Sequence, residues 1–476
     1  MKKTFIITVA SIMTLVAITI WFFVNQEQPI YTFEAENGIL QGVTTSQEVT
    51  GFSGSGYVTG FDQSENSLSM TITAPKEDMY QLWTGYNGPH GNKNSRLMLN
   101  DQPFGEVKFP PTLTFSEINY GRVKLNKGAN QLKFTMGWGW YDIDYVKIQS
   151  APSREDHQIE NTLVSPNASE EALSLHRFLV DQYGESILSG QQTLLHALEI
   201  QEKYGKLPAM VGFDLIEYSP TRVQRGSDSK EVENIFQWHD LGGITTLAWH
   251  WNAPTDLIDT DEQPWYRGFY TEGTTFDIEK ALANPDSEQY QLLLSDIDAI
   301  AKQLKRLQDA HIPVLWRPLH EAEGEWFWWG AKGPEPAKKL YRLLYDRLTN
   351  VHHINNLIWI WNSESPEWYP GDDVVDIVSV DSYPPAGDYS PIDNRYDNLV
   401  ELVQDRKLVA LTENGPIPDP DLLQDYQTHW SWFCTWGEHF IQDGLQNSQE
   451  HIQQIYDHPY VLTLDELPDW KTSRFP

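Results

Sequence analysis

Ile312-Pro313-Val314-Leu315-Trp316-Arg317-Pro318-Leu319-His320-Glu321 is an apolar run that breaks into polar and charged residues at its end. Amphipathic stretches flank it, Ser287–Ala310 before and Glu335–Asn350 after. An apolar run between two such stretches reads as a buried strand between two helices, the repeating unit of a parallel sheet. The same texture recurs at Ile187–Gln192, Pro208–Asp214, Gly243–Trp251, Asn356–Asn362, Val375–Tyr383, Leu408–Glu413 and His429–Trp436. Eight such units over residues 163–476 predict an α/β fold, a (β/α)8 TIM barrel.

Towards the N-terminus the pattern changes. Residues 30–150 form short runs rich in Val, Thr, Tyr and Phe, punctuated by Gly51-Phe52-Ser53-Gly54-Ser55-Gly56, Asn87-Gly88-Pro89, Asn100-Asp101 and Lys127-Gly128-Ala129-Asn130. That spacing of strands and turns predicts a helix-free β-sandwich, and the polar stretch 151–162 reads as a linker. A total of 476 residues also exceeds what one core usually serves, so two domains are expected. In residues 1–26, Lys2 and Lys3 precede an apolar run from Phe5 to Val24, the pattern of an export signal. The run approaches the roughly 20 residues that span a bilayer and has no small-x-small site at its end. It is a cleaved signal or an uncleaved anchor, and either places the chain outside the cell, secreted or held at its surface by residues 5–24.

Composition narrows the chemistry. A formal net charge of −33 repels phosphate backbones and anionic lipid heads, which excludes nucleic acid as a natural partner. The single cysteine, Cys434, allows no intramolecular disulfide and no paired-cysteine zinc site. Nineteen Trp, 22 Tyr and 19 Phe supply flat apolar faces that suit either large cores or stacking on sugar rings.

Barrel enzymes carry their chemistry where strands run out into the following loops. Asp214, His250, His320, Glu321, Asn362, Asp381, Tyr383, Glu413 and Trp436 all fall at such ends. Glu321 closes the fourth candidate strand and Glu413 the seventh, in Leu411-Thr412-Glu413-Asn414-Gly415. Strands four and seven are nearly opposite in an eight-membered ring, so the two carboxyls can face one another across the mouth. Cleaving a glycosidic bond needs such a pair. A rim glutamate can instead be half of an ion pair with a neighbour such as Arg317.

Arg317-Pro318-Leu319-His320-Glu321, then Gly324 and Trp326-Phe327-Trp328-Trp329-Gly330, resembles the signature of glycoside hydrolase family 26. The resemblance runs from about Leu163 to the C-terminus. It implies a retaining endo-β-1,4-mannanase acting on mannan, glucomannan or galactomannan, with Glu321 as acid/base and Glu413 as nucleophile. It further implies that Tyr383 hydrogen-bonds the nucleophile and that His320 orients it or a substrate hydroxyl, where many relatives in the wider superfamily have Asn. Trp326 would stack on the leaving-group side, with Trp436 beneath the sugar at the cleavage point and His250 contacting that sugar. Trp328 and Trp329 are assigned to packing, Asp381 to structural support, and Asn362 and Asp214 to no role. Related barrels with the same glutamates act as mixed-linkage β-glucanases or β-1,3-xylanases, and a non-catalytic mannan-binding surface protein is a third possibility. No cofactor is expected for catalysis. A retaining mechanism further requires the two carboxyls about 5–5.5 Å apart, with Glu321 protonated by repulsion from Glu413 and burial among Trp side chains.

The N-terminal domain resembles carbohydrate-binding module family 35, through Phe33-Glu34-Ala35-Glu36, Gly51–Val58 and Tyr141-Asp142-Ile143-Asp144-Tyr145-Val146. By that resemblance Glu34, Glu36 and Asp144 are ligands of a structural calcium ion, and Trp138 and Trp140 form a sugar-stacking platform.

Overall fold

The computed structural model describes residues 28–154, 156–468 and 470–471. The apolar run 5–24 lies outside them. Among the described residues no helix is long and apolar enough to cross a membrane. The main division of the chain falls between Ser153 and Arg154.

The first unit is a pair of antiparallel sheets. One has the strand order 44–46, 57–59, 142–150, 78–87 and 116–125, with Tyr31–Glu34 also paired to Asp142–Ser150. The other runs 39–41, 67–74, 128–138, 93–99 and 102–109. Alternation drives the packing: along Ser67–Ala74 the residues Leu68, Met70, Ile72 and Ala74 are buried, and Leu132 and Phe134 of Gly128–Trp138 join them inside. The helix-free expectation needs one correction, a single 3-10 turn at Ala35–Asn37. First and last strands lie side by side, with Glu34 in register with Tyr145, the neighbour of Asp144.

The second unit is the barrel. Its parallel strands, in ring order, are β1 (Gly190–Gln192), β2 (Met210–Asp214), β3 (Ile244–Trp249), β4 (Val314–Pro318), β5 (Leu357–Asn362), β6 (Ile377–Ser382) and β7 (Leu408–Asn414). Every residue of β3 to β7 is buried, as a strand covered on both faces must be. The flanking amphipathic stretch 287–310 is a helix over Glu288–Asp309, capped by Ser287 and packed inward through Leu293, Ile297, Ile300, Leu304 and Leu307. The stretch 335–350 becomes a helix over Pro334–Asp346 that passes into a π-helical turn, Arg347–Val351.

The eighth segment is not a regular strand. Residues 431–436 instead alternate partners: the Ser431 N–H bonds Val409, Phe433 bonds Leu188, Thr435 bonds Gly190 and Trp436 bonds Asn414. The segment thereby closes the ring between β7 and β1 without a continuous ladder. In the expected linker, residues from Arg154 onward belong to the second unit: Arg154 donates to Asp393 at 2.5 Å, His157 Nδ1 lies 2.8 Å from Asp405, and the Glu160 N–H donates to the Arg406 carbonyl at 2.9 Å.

Candidate active site

Arg317 is the centre of the rim. It sits on β4, 2% exposed, with its guanidinium 2.8 Å from Asp381 at the end of β6 and bonded to Glu413 at the end of β7. A guanidinium so enclosed needs anions around it, because an uncompensated buried charge costs several kcal/mol. The ion-pair alternative raised for the rim glutamates therefore applies to Glu413 and not to Glu321.

Glu413 is held at both oxygens. Arg317 takes Oε1, while Tyr383 Oη donates to Oε2 at 2.6 Å and Trp436 Nε1 at 2.7 Å. Burial pushes its carboxyl up, but Arg317, then His250, Tyr383 and Trp436 outweigh burial and leave it below its ordinary value. It is an oriented carboxylate.

Glu321 has the opposite environment. Among the described residues its one side-chain donor is Trp326 Nε1 at 2.9 Å, and its backbone N–H is fixed by Asn362 Oδ1 at 2.8 Å. Leu319 and Glu321 both adopt left-handed backbone, with φ of 54° each. Such residues persist only where the surroundings over-determine them. Burial first, then the negative charges of Asp381 and Glu413, push the Glu321 carboxyl up to about 8. The sequence pointed to burial and Glu413; Asp381 is an additional cause. Oxygens of Glu321, Asp381 and Glu413 lie within 4.8 Å of one another. Three carboxylates at that spacing can also hold a cation, but here Arg317 already engages one oxygen of Asp381 and one of Glu413.

Asp381 and Asn362 share one buried hydrogen-bond network. Asp381 Oδ1 accepts from Thr412 at 2.7 Å and Asn362 at 3.0 Å, and Asn362 also reaches Thr412 at 2.9 Å. Its carboxyl is raised to about 6, by burial foremost. Asp214, without a role in the sequence, holds His250 by Oδ2 to Nδ1 and by Oδ1 to the backbone N–H at 3.0 Å. Burial lowers the His250 pKa, but the Asp214 carboxylate outweighs it and keeps the ring above its ordinary value. His250 Nε2 lies 3.1 Å from His320 Nε2, and His320 is pushed well below its ordinary value by burial and by the charges of Arg317 and His250. His320 Nδ1 is buried without a partner among the described residues. The one signal for Asp214 was its position at a strand end.

The aromatic residues divide by exposure. Trp328 and Trp329 are buried, their indole N–H groups donating to the Trp251 and His320 carbonyls at 2.6 and 2.9 Å, while Trp326 is 49% exposed. Trp436 is half-buried beside Glu413.

In the first unit, Glu34, Glu36 and Asp144 gather around the 51–55 loop. Ser53 Oγ donates to Glu34 at 2.6 Å, the Ser53 N–H to both Asp144 oxygens at 3.0 and 3.1 Å, and the Ser55 N–H to Glu36 at 2.6 Å. Glu36 Oε2 is buried without a partner among the described residues. Burial first, with Glu34 and Glu36 adding to it, raises the Asp144 carboxyl to about 6. Trp138 and Trp140 are 65% and 60% exposed, Trp138 ending a strand and Trp140 standing in the following loop at φ 73°.

Residues 164–466 match the profile described as glycosyl hydrolase family 26, and residues 31–151 that of carbohydrate binding module (family 35). The mannan endo-1,4-beta-mannosidase of Thermothelomyces thermophilus is 48% identical over 442 residues, 93% of this chain and 91% of its own. The crystal structure of a Podospora anserina GH26-CBM35 β-(1,4)-mannanase is 46% identical with a TM-score of 0.69, over 94% of this chain and 100% of its own. A β-mannanase from a symbiotic protist of the termite Reticulitermes speratus, complexed with a gluco-manno-oligosaccharide, is 33% identical with a TM-score of 0.60, over 66% of this chain and 100% of its own.

Proposed function

Because this chain belongs to glycoside hydrolase family 26 and carries a family 35 carbohydrate-binding module, we propose that it is a retaining endo-β-1,4-mannanase using Glu413 as nucleophile and Glu321 as acid/base. The glucanase, xylanase and non-catalytic alternatives are not favoured, since the relatives above are mannanases. The observation that carries the mechanism is the contrast between two neighbouring carboxyls, one held below its ordinary value and the other raised to about 8. At neutral pH this makes Glu413 an anion and Glu321 an acid, the division of labour that two-carboxylate hydrolysis requires.

Glu413 attacks the anomeric carbon while Glu321 gives its proton to the departing glycosidic oxygen, leaving a glycosyl ester on Glu413. Glu321, now ionised, takes a proton from water as that water attacks the same carbon and frees Glu413. Carboxylate oxygens within 4.8 Å of one another favour this double displacement over a single one with an intervening water. Tyr383, Trp436 and Arg317 orient Glu413 and stabilise its charge; His250 and His320 bind the sugar at the cleavage point and Trp326 the leaving-group side. The test is stereochemical: proton NMR of the first product should show retained configuration. An inverted product would exclude Glu413 as nucleophile.

The first unit serves as a β-mannan-binding module with Trp138 and Trp140 as its platform. A calcium ion held by Glu34, Glu36 and Asp144 would supply the positive charge that these three acids lack among themselves; the buried unpartnered oxygen of Glu36 supports that fit. The chain acts outside the cell, exported by the Lys2-Lys3 and Phe5–Val24 pattern. Cell fractionation would show whether residues 5–24 also retain it at the surface.

A further inference from the structure

Glu231 stands apart from the residues used so far. It opens the helix Glu231–Asp240, beyond the loop that follows β2. It lines a small enclosed cavity with Glu413, Asp214, His250 and Trp436, and also an open cleft of about 540 Å³ that extends from His250 and Trp436 to Phe269 and Tyr270. The cleft therefore adjoins the nucleophile's cavity, and Glu231 is one of the residues lining both.

Its carboxylate has no cation. Asn234 Nδ2 donates to Oε2 at 2.9 Å, and no Lys or Arg among the described residues pairs with it. The other acids of the same cleft are engaged, Asp214 on His250 and Glu217 with Oε1 on Arg222 at 2.6 Å and Oε2 on Ser227. An acid in the first turn of a helix does complement the positive end of its dipole. Glu233 in the same turn does that too, paired to Arg306 and lining neither cavity. Placing a carboxylate on the cleft wall serves a ligand with donors to give, and a sugar ring presents several hydroxyls.

We infer that Glu231 is a specificity-determining residue, whose carboxylate accepts hydroxyl hydrogens from the sugar adjoining the one at the cleavage point. This rests on the glycosidase reading above. Burial foremost, with the nearby Asp214 charge, raises its pKa against the hydrogen bonds from Asn234 and the Asp214 backbone, so a further donor would stabilise the carboxylate. A hydrogen bond to a charged group corresponds to roughly ten- to hundredfold in binding.

The test compares the full-length enzyme with Glu231→Gln and Glu231→Ala, using mannopentaose cleaved in ¹⁸O-labelled water so that each bond broken is identified by mass. Both variants are expected to raise KM on mannan about tenfold or more with kcat within about twofold, and to shift cleavage towards the binding modes that leave this cleft empty. Thermal melting of the variants is recorded alongside. An unchanged cleavage pattern would overturn the inference, whether activity is kept or kcat falls, because a structural loss lowers turnover without redistributing bonds. If wild type releases no sugar from mannopentaose, the mannanase reading itself fails instead.

Discussion

The molecule carries two trios of carboxylates, and they are built differently. On the barrel rim, Asp381 and Glu413 clasp Arg317 while Glu321 stands beside them without a cation of its own. In the N-terminal module, Glu34, Glu36 and Asp144 are bonded to serine hydroxyl and backbone N–H groups, and no ion pair holds any of them among the described residues. The rim balances its charge internally, so its pKa values are set by the fold. The module's trio leaves its charge to be balanced from outside. A set of acids whose counter-charge lies in the chain is ready for proton chemistry, and one without is ready for a cation.

The sharpest separation comes from removing the rim glutamates. Glu413→Ala should lower turnover of every substrate by about 10⁵-fold or more, since no glycosyl ester can form. Glu321→Ala should cripple mannan hydrolysis but spare glycosylation by an aryl mannoside whose leaving group needs no proton, and azide should restore the second step. Equal loss on both substrates in the Glu321 variant would contradict the assignment.

Arg317→Met should cost about 3–5 kcal/mol in urea denaturation, because it strands two buried carboxylates. Glu36→Gln in calcium-free buffer should cost under about 1 kcal/mol, since no internal ion pair is lost. Similar losses in both would erase the distinction between the trios.

Glu321 adds a pH dependence of unusual sign. Its folded pKa, about 8, lies above its ordinary 4.5, so between those values the native state binds the extra proton and stability falls as pH rises. Glu321→Gln removes the titration and should be more stable than wild type by ~2–4 kcal/mol near pH 8, with the advantage vanishing below about pH 4. Activity should decline on the alkaline side near pH 8, as Glu321 loses its proton, and on the acid side below Glu413's ordinary range. A wild-type enzyme with undiminished kcat/KM at pH 10 would contradict the role of Glu321.

The module has a test of its own. Calcium at a hundredfold over its dissociation constant should stabilise it by about 3 kcal/mol, and chelator should reverse that, as seen by calorimetry of the module's transition. An unchanged melting temperature would remove calcium from the site.

The barrel was legible because its strands are fully buried, and full burial writes itself as apolar runs such as Leu357–Trp361 and Leu408–Leu411. The eighth segment misled: His429–Trp436 has the composition of a strand but switches partners residue by residue, and periodicity cannot show that. Glu321, Glu413 and Tyr383 could be picked out because position at a strand end and a motif agreed. Arg317 was noticed only as a possible partner, since neither its enclosure nor its hold on Asp381 leaves a local mark. Asp214 acts through His250, 36 residues away in sequence, a pairing that only the fold creates. Glu231 sits at the start of a helix and outside every strand, where no pattern used on the sequence would look.

The closing of the ring by residues 431–436 also sets an order of events in time. The Thr435 N–H donates to the Gly190 carbonyl, its own carbonyl accepts from the Gln192 N–H, and the Gln191 side chain bridges 244 positions to reach it. A chain emerging from the ribosome has to hold β1 to β7 as an open arc until this segment is released. Trp436, which holds the Glu413 carboxylate, comes last among the catalytic groups. Long-range closure of this kind is slow, because the loop entropy is lost before the contact forms. Until residues 431–436 arrive, Glu321 and Glu413 are both made but the ring that brings them together is still open.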